Sequence, residues 1–316
     1  MTILLDRAAV RATLRWPDVI SAVRGAYLAA AGSSALSPVS SHLPLPGGAM
    51  HLKAGGTGTP ALASVKANMR PDTGSASGLL LLYDLEDWSV RSILDSADLT
   101  AWRTAAAAVV GARALGAEPG TVVSVLGAGP LAHATVQAIR HEFGECEVHV
   151  WSRSPEHASA LGPGVFRVHT TPEEAVRDAG LVITCTPSRQ PLIESRNLRR
   201  DAVVCALGAD SPGKRELAPD ALAGAFIVSD NLRAARTAGE IAALDASAEE
   251  VRGEIGGLLT GTLSPPDGRG RRIFDSVGVA HVDTAVAAAI TEAARQSHVG
   301  AIWDPASASS LEPADI

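Results

Sequence analysis

The chain has 316 residues, of which 46% are apolar and 19% are charged, and its formal net charge is -7. This length allows one large or two ordinary domains, and the composition is typical of a packed globular protein. The acidic balance argues against a nucleic-acid or anionic-membrane partner, because either needs a concentrated basic face. We therefore expect a small-molecule ligand, and no nucleic acid or membrane partner.

The chain also lacks the sequence features of export and of metal binding. No apolar run approaches the ~18 residues that a membrane span needs, and Asp6 and Arg7 interrupt the start too early for a signal peptide. Cys146, Cys185 and Cys205 are odd in number and scattered, so neither a disulfide framework nor a metal site is predicted. We expect a cytoplasmic protein without a structural metal.

The first part of the chain predicts an α+β unit. Its hydrophobic pattern indicates an amphipathic helix near 19–30, followed by Pro/Gly/Ser-rich turns and short strands that include 61–67 and 79–82. The alanine-rich segment after Val279 predicts a helix that runs back to this unit. The tail after Asp304 is expected to be poorly ordered.

The middle of the chain alternates short apolar runs with helical segments, which is typical of a parallel sheet flanked by helices. Strands are predicted at 121–126, 147–151, 181–185, 202–206 and 226–228. Thr171 followed by Pro172 predicts a helix start. The predicted fold class is α/β, with a Rossmann-type domain at 117–278 and a second, α+β domain formed by both chain ends, 1–116 and 279–316.

A dinucleotide fingerprint follows the first strand of the middle region. The run Gly127-Ala128-Gly129-Pro130-Leu131-Ala132 matches G-x-G-x-x-G/A between a strand and a helix. Such glycines let a pyrophosphate approach the helix N-terminus, where free N–H groups favour an anion. Glycines at a strand-to-helix turn can also be purely structural. The surrounding βαβ pattern favours nucleotide binding by Gly127, Ala128, Gly129, Pro130 and Leu131.

The end of the second strand bears on the choice of nucleotide. An NAD enzyme usually places Asp or Glu there for the ribose 2′-hydroxyl, whereas this chain has Ser152, Arg153 and Ser154. Two hydroxyls and a guanidinium suit a 2′-phosphate, although a surface arginine is often only solvated. NADP(H) is therefore favoured, and NAD(H) is possible.

Four further motifs, together with the fingerprint, resemble the ornithine cyclodeaminase/mu-crystallin family. They are Val65-Lys66-Ala67-Asn68, Asp98 to Thr104, Leu207 to Leu217 and Phe274-Asp275-Ser276-Val277-Gly278. The resemblance extends over nearly the whole chain. It implies chemistry that passes through an imine, and a homodimer formed through the first domain, which would also bind the substrate.

The resemblance also implies roles for individual residues. Lys66 and Arg103 would meet the substrate carboxylate, and Asp210 would face the imine nitrogen, so Lys66 and Asp210 are the candidate catalytic residues. Each of these charges alone would more often be a surface residue. The remaining candidates for cofactor binding are Thr104, Thr186, Lys214, Ser276 and Val277.

The sequence departs from the family pattern at two positions in the first domain. Ser40 stands where many relatives have an arginine that clamps the substrate carboxylate. His51 stands where ornithine cyclodeaminases have a glutamate for the distal amine. His51 and Lys53 are candidate substrate-binding residues, although a histidine near a strand is often structural, and the spacing does not tell whether Lys53 points inward.

Three functions remain compatible with these observations. The leading one is an NAD(P)H-dependent reductase or dehydrogenase that acts on the C–N bond of a small amino or imino acid. The alternative is an NAD-dependent cyclodeaminase, for which an acidic residue at the distal amine would be expected. The third is a nucleotide-binding protein of crystallin type without turnover, against which the presence of both Lys66 and Asp210 argues.

Overall fold

Two β-sheets and ten α-helices organise the residues that the computed structural model describes, which are 1–72, 76–118, 120–162, 164–245, 247–267 and 270–304. The strands are β1 (Thr2–Leu5), β2 (Ala35–Leu45), β3 (Gly48–Gly58), β4 (Ala61–Pro71), β5 (Ser77–Asp84), β6 (Val90–Asp95), β7 (Val123–Leu126), β8 (Val148–Trp151), β9 (Arg167–Val168), β10 (Leu181–Thr184), β11 (Val203–Ala206), β12 (Phe226–Ser229), β13 (Val251–Glu254), β14 (Arg272–Asp275) and β15 (Ala301–Trp303). The tail after Asp304 lies outside the described residues.

The helices are α1 (Arg7–Thr13), α2 (Trp16–Ala31), α3 (Ala97–Ala114), α4 (Pro130–Phe143), α5 (Pro155–Ser159), α6 (Pro172–Val176), α7 (Pro219–Leu222), α8 (Leu232–Ala238), α9 (Ile255–Thr260) and α10 (Ala280–Ser297). The helix predicted to start after Thr171 is the short α6, and the Thr171 hydroxyl accepts a hydrogen bond from the Glu174 amide at 3.2 Å. No helix of the described ranges is long and apolar enough to cross a membrane.

The eight-stranded sheet is parallel throughout and has the order β13-β12-β14-β11-β10-β7-β8-β9. Its central strands β7, β10 and β11 are buried over their whole length, so they carry unbroken apolar runs. The chain order reverses between β7 and β10, and ligands of open α/β sheets bind at such a switch point. The predicted Rossmann-type sheet is confirmed.

The seven-stranded sheet has the order β15-β1-β6-β5-β4-β3-β2 and contains strands from both ends of the chain. Only β1 and β6 run parallel in it. Helix α10 packs on β3 and β4, where the Ser64 and Thr284 hydroxyls are 2.8 Å apart. A Cβ on Gly55 would lie 2.8 Å from that of Ala280, so glycine permits this close approach. The domain boundaries stay a prediction.

One difference from the predicted elements affects the site. Strands β2 and β3 each span 11 residues where mainly turns were expected. Pro38 and Pro44 fit because β2 is an edge strand, where a missing N–H donor leaves no ladder bond unmade. Arg103 lies inside α3 and is buried, so its side chain points into the protein and not to the solvent.

Candidate active site

Polar side chains follow one another on the inner face of the seven-stranded sheet. On β4, Lys66 and Asn68 are buried while Val65 and Met69 are exposed, so the even-numbered residues face inward. The register places Lys53 of β3 opposite Lys66, and Ser40 of β2 opposite Lys53. Because side chains alternate between the two faces of a β-strand, these charged residues lie together on the buried face.

The next cross-strand row of the inner face contains two histidines. His42 of β2 lies opposite His51 of β3, which lies opposite Asn68 of β4. The two imidazole rings meet edge to face with their centroids 4.5 Å apart. Arg70 follows two residues after Asn68, on the same face of β4.

A buried carboxylate on α10 binds two of the predicted cations. The Lys66 Nζ lies 2.7 Å from Asp283 Oδ1, and the Arg103 Nε lies 2.9 Å from the same oxygen. All three side chains are at least nine-tenths buried. A buried pair of this kind is costly to break, because it would leave an uncompensated charge in a dry environment. Asp283 therefore holds Lys66 and Arg103 side by side.

Burial sets the protonation behaviour of this cluster. It lowers the pKa of Lys66 to about 7, with Arg103 and Lys53 acting in the same direction and Asp283 opposing them. Burial alone would raise the pKa of Asp283, but its three cationic neighbours lower it to about 2. Lys66 can therefore exchange a proton near neutral pH while Asp283 stays ionised.

Asp210, on the loop after β11, lies between two cations. Its Oδ2 lies 2.9 Å from Arg70 Nη1 and its Oδ1 lies 2.6 Å from Lys214 Nζ. Burial opposes ionisation of this carboxyl, but Arg70 and Lys214 hold its pKa well below the usual range. Asp210 is thus a permanent anion at physiological pH, and it can stabilise a cation but cannot donate a proton.

The loop after β14 is fixed by hydrogen bonds from both sides. The carboxylate of Asp230 accepts from the Ser276 hydroxyl at 2.8 Å and from the amides of Val277 and Gly278 at 3.1 and 2.7 Å. The Lys53 Nζ donates to the carbonyl oxygens of Val277 and Gly278 at 3.1 and 2.8 Å. Lys53 therefore faces inward, which the spacing alone did not reveal.

These groups surround two adjoining cavities. The charged cavity, of about 240 Å³, is lined by residues that include Ser40, His42, His51, Lys53, Lys66, Asn68, Arg70, Arg103, Asp210, Val277 and Gly278. The connecting cavity, of about 350 Å³, shares residues with it that include Arg70, Arg103 and Asp210, and it extends to Thr104, Ser276, Pro130 and Leu131. Lys66, Arg103 and Asp210 thus converge on one space that reaches the start of α4.

The dinucleotide fingerprint lines a third, glycine-loop cavity of about 640 Å³. Gly127 has φ +127°, and a Cβ there would lie 3.0 Å from the carbonyl oxygen of Cys185, so glycine is required. Gly129 caps α4 without a side-chain hydrogen bond, and the first turn of this helix carries no acidic residue. The helix N-terminus and the glycine cradle therefore fit a pyrophosphate.

The outer end of the glycine-loop cavity is basic and rich in hydroxyls. Ser152, Arg153 and Ser154 follow β8 directly and line it, and Arg189 joins them from the loop after β10. No carboxylate is among the described residues that line this cavity. Arg189 was missed in the sequence because no strand-end motif marks its loop.

A buried glutamate ties two loops of this region together. The Glu216 carboxylate accepts from the Thr186 amide and hydroxyl at 2.6 and 2.7 Å and from the Gly208 amide at 2.8 Å. Thr186 lines the glycine-loop cavity, and Gly208 precedes the Asp210 loop. The Thr186 hydroxyl is thus hydrogen-bonded to Glu216. Lys214 is paired with Asp210, so it would have to leave this ion pair to contact the cofactor as predicted.

Three further residues of the site were not predicted from the sequence, which are Asp283, Arg70 and Asp230. Asp283 stands on the buried stripe of α10 with Val286, Ala287 and Ile290, where a lone acidic residue is a detectable signal. Arg70 repeats the two-residue period of Lys66, so alternation could have identified it. The described ranges contain no group of three or more His, Cys, Asp or Glu side chains placed to hold a metal ion.

Comparisons with known proteins agree with this architecture. The family model for the ornithine cyclodeaminase/mu-crystallin family matches residues 49–298. The alanine dehydrogenase of Archaeoglobus fulgidus is 31% identical over 245 residues, which are 73% of this chain and 75% of that protein. The iminosuccinate reductase of Paracoccus denitrificans is 30% identical over 232 residues, 70% of this chain and 71% of that protein.

The fold is also that of solved family structures. An archaeal alanine dehydrogenase dimer with bound NAD superposes with a TM-score of 0.88 at 26% identity, over 95% of this chain and 98% of that one. The expected fold class and an NAD(P)-dependent oxidoreductase that acts on C–N bonds are both confirmed. The chain belongs to the ornithine cyclodeaminase/mu-crystallin family.

Proposed function

We propose that the protein is an imine reductase that favours NADP(H) and forms a small amino acid by hydride transfer to a protonated imine. One observation carries this proposal: Lys66, Arg103 and Asp210 line a single charged cavity that opens toward the N-terminus of α4. A substrate in this cavity would lie between a carboxylate-binding wall and the nucleotide.

Each charged side chain of the cavity has a separate role. Arg103 and Lys53 bind the substrate carboxylate, since both are cations that line the charged cavity. Asp210, a permanent anion, stabilises the positive charge of the protonated imine nitrogen. Lys66, whose pKa lies at about 7, supplies the proton to that nitrogen. Gly127 to Leu131 would hold the pyrophosphate of the reduced dinucleotide, which would supply the hydride for the imine carbon.

The preference for NADP(H) is supported by the outer end of the glycine-loop cavity. Arg153 and Arg189 offer paired donors to a 2′-phosphate, and Ser152 and Ser154 add hydroxyls. A carboxylate that would repel this phosphate is absent among the described lining residues. The same pattern would still admit NAD(H), with lower affinity.

The cyclodeaminase alternative gains no support from the cavity. A diamino acid needs an acidic partner for its distal ammonium group. Among the described residues that line the charged cavity, Asp210 is the only carboxylate, and Arg70 and Lys214 already engage it. We therefore do not assign ring closure with loss of ammonia to this protein.

A homodimer through the seven-stranded sheet is part of the same proposal. The outer face of this sheet exposes large apolar side chains, which are Leu36, Val39, Leu43, Val65, Met69 and Leu79. Val39, Ala54, Val65 and Leu81 form one cross-strand row of that face. Contiguous exposed apolar surface marks an interaction site. Light scattering should give twice the mass of one chain, and Val39→Glu should shift it toward the monomer.

The function is tested by imine-dependent oxidation of NADPH. Purified protein is mixed with NADPH, ammonium and a panel of 2-oxo acids, and the amino acid formed is identified by mass spectrometry. We expect stoichiometric NADPH consumption and amino-acid production. Release of ammonia from ornithine without net change in the nucleotide would instead support the cyclodeaminase, and nucleotide binding without turnover of any of these compounds would support the crystallin type.

A further inference from the structure

The charged cavity carries more positive charge than a substrate with one carboxylate can balance. The described residues that line it include four cations and one carboxylate: Lys53, Lys66, Arg70, Arg103 and Asp210. Just behind this wall, Lys214 adds a cation, and Asp230 and Asp283 add two anions. With Lys66 in the protonated form that reduction needs, five cations face three carboxylates, so two positive charges remain. The α-carboxylate of an imino acid compensates one of them.

Arg70 is the cation placed to bind another acid group. It lies four residues from Lys66 on the inner face of β4, which is about 13 Å along an extended strand. Its side chain is 34% exposed, and Nη1 donates to Asp210 at 2.9 Å. This is its only hydrogen bond within the described part of the chain, so the other N–H groups of this cavity-lining guanidinium are left to bind a ligand.

The wall beside Arg70 is unfavourable for a cationic side chain. His42 and His51 line it together with Ser40 and Ser41. Burial, with a smaller contribution from the positive charge of Arg70, lowers the pKa of His51 to about 4. The positive charge of Arg70 would repel a cationic side chain here, whereas the neutral His51 ring and the serine hydroxyls can donate hydrogen bonds to an anion.

The phosphates of the cofactor do not account for the excess charge. The residues of the pyrophosphate cradle, Gly127 to Leu131, line the connecting and glycine-loop cavities and are absent from the charged cavity as described. The nicotinamide of the reduced cofactor is uncharged. The balancing charge therefore has to come from the substrate.

We propose that the substrate carries a second carboxylate, bound by Arg70 at the end of the cavity formed by His42 and His51. The inference rests on the proposed function and narrows it to imino acids with two acid groups. The second carboxylate stands either on the carbon side chain or on the substituent of the imine nitrogen. In both arrangements the second carboxylate contacts the guanidinium of Arg70.

The experiment compares substrates that differ only in the second carboxylate. With ammonium, 2-oxoglutarate is compared with 2-oxovalerate, and oxaloacetate with 2-oxobutyrate. For the nitrogen side, pyruvate with glycine is compared with pyruvate with methylamine. We expect kcat/KM for NADPH oxidation to be on the order of tenfold or more higher for the diacid in one of these series, as for a hydrogen bond between charged groups.

Variants of Arg70 connect this preference to the residue. Arg70→Gln should reduce the ratio of kcat/KM between diacid and monoacid by roughly tenfold, and Arg70→Lys should reduce it less because it keeps the charge. The matched control is Arg91→Gln, since Arg91 also lies on a strand and pairs with an aspartate, Asp84, at 3.2 Å, but lies outside the cavity. It should leave the ratio unchanged.

The outcomes separate the inference from the function on which it rests. Equal kcat/KM for diacids and monoacids would overturn the second carboxylate and leave the imine reductase intact. A parallel loss on both classes in Arg70→Gln would show that Arg70 acts only through Asp210, and it would also overturn the assignment. Absence of NADPH oxidation with every imine would overturn the reductase itself.

Discussion

The charged cavity and the glycine-loop cavity recognise their ligands in different ways. The glycine-loop cavity is formed by the turns after β7, β8 and β10, and it offers mainly backbone N–H groups, hydroxyls and exposed arginines. The charged cavity combines side chains of β2, β3, β4 and α3 with the loops after β11 and β14. Its charges are paired across segments that lie far apart in the chain.

This difference reflects the ligands that each cavity fits. A dinucleotide always presents the same phosphates, so a local turn with a fixed backbone geometry is sufficient. Substrates, in contrast, differ between enzymes of one fold. Their charges are matched by individual side chains, which can be substituted one at a time without changing the fold. The charged cavity should therefore depend on long-range ion pairs, and the glycine-loop cavity should tolerate loss of single side chains.

The largest expected effect is on stability, at the buried ion pair of the charged cavity. Asp283→Asn leaves the charge of Arg103 buried without an anion, and we expect a loss of about 3–5 kcal/mol in the free energy of unfolding. Urea denaturation measures it. The control is Glu142→Gln, whose pair with Arg113 is partly exposed and is worth about 1 kcal/mol or less. Equal losses in the two variants would contradict the role of Asp283.

The next effect separates catalysis from nucleotide binding. Asp210→Asn keeps the shape of the side chain but removes the charge beside the imine nitrogen, so kcat should fall by roughly a hundredfold or more. The affinity for NADPH should change only a few-fold, because Asp210 lies outside the glycine-loop cavity. Stopped-flow turnover and fluorescence titration measure the two quantities.

A control variant distinguishes loss of the Asp210 charge from a general effect of removing an ion pair. Asp201→Asn also breaks an ion pair with an arginine, Arg199, at 2.9 Å, but it lies on the surface away from both cavities. Its turnover should stay close to that of the unmodified protein. Near-normal kcat in Asp210→Asn would refute electrostatic stabilisation and leave Asp210 as a residue that shapes its loop.

The pH dependence tests the proton donor. Because the pKa of Lys66 is lowered to about 7, its protonated form predominates below pH 7 and is lost as the pH rises through this value. Reduction needs the protonated form, so kcat/KM should fall roughly tenfold between about pH 6 and pH 8. Lys66→Arg should abolish this inflection. If the inflection persists in the variant, it belongs to the imine and not to Lys66.

The smallest effect is expected at the glycine-loop cavity. Arg153→Ala removes one exposed guanidinium from the site of the 2′-phosphate, so the affinity ratio of NADPH to NADH should fall by about tenfold or less. Isothermal titration with both nucleotides measures it, and Arg196→Ala, an exposed arginine elsewhere, is the control. An unchanged ratio would show that Arg153 does not bind the 2′-phosphate and would leave Arg189 as the arginine that contacts it.

The sequence predicted the parallel sheet more accurately than the mixed one. The strands at 181–185 and 202–206 were placed within one residue of β10 and β11, because strands buried on both faces carry continuous apolar runs. Strands β2 and β3 were missed, since their inner face is polar and glycine and proline interrupt them. A half-polar strand has no local signal apart from alternation.

By itself, the sequence determined the glycine loop, the absence of a carboxylate after β8 and the identity of Lys66, Arg103 and Asp210 as site candidates. These features are local, because turn geometry and short motifs are encoded by neighbouring residues. Only the tertiary structure decided the charge balance of the cavity. Lys66 and Asp283 are 217 residues apart, and Arg70 and Asp210 are 140 apart. No periodicity connects residues at such distances, so their pairing depends on how β4 packs against α10 and the loop after β11.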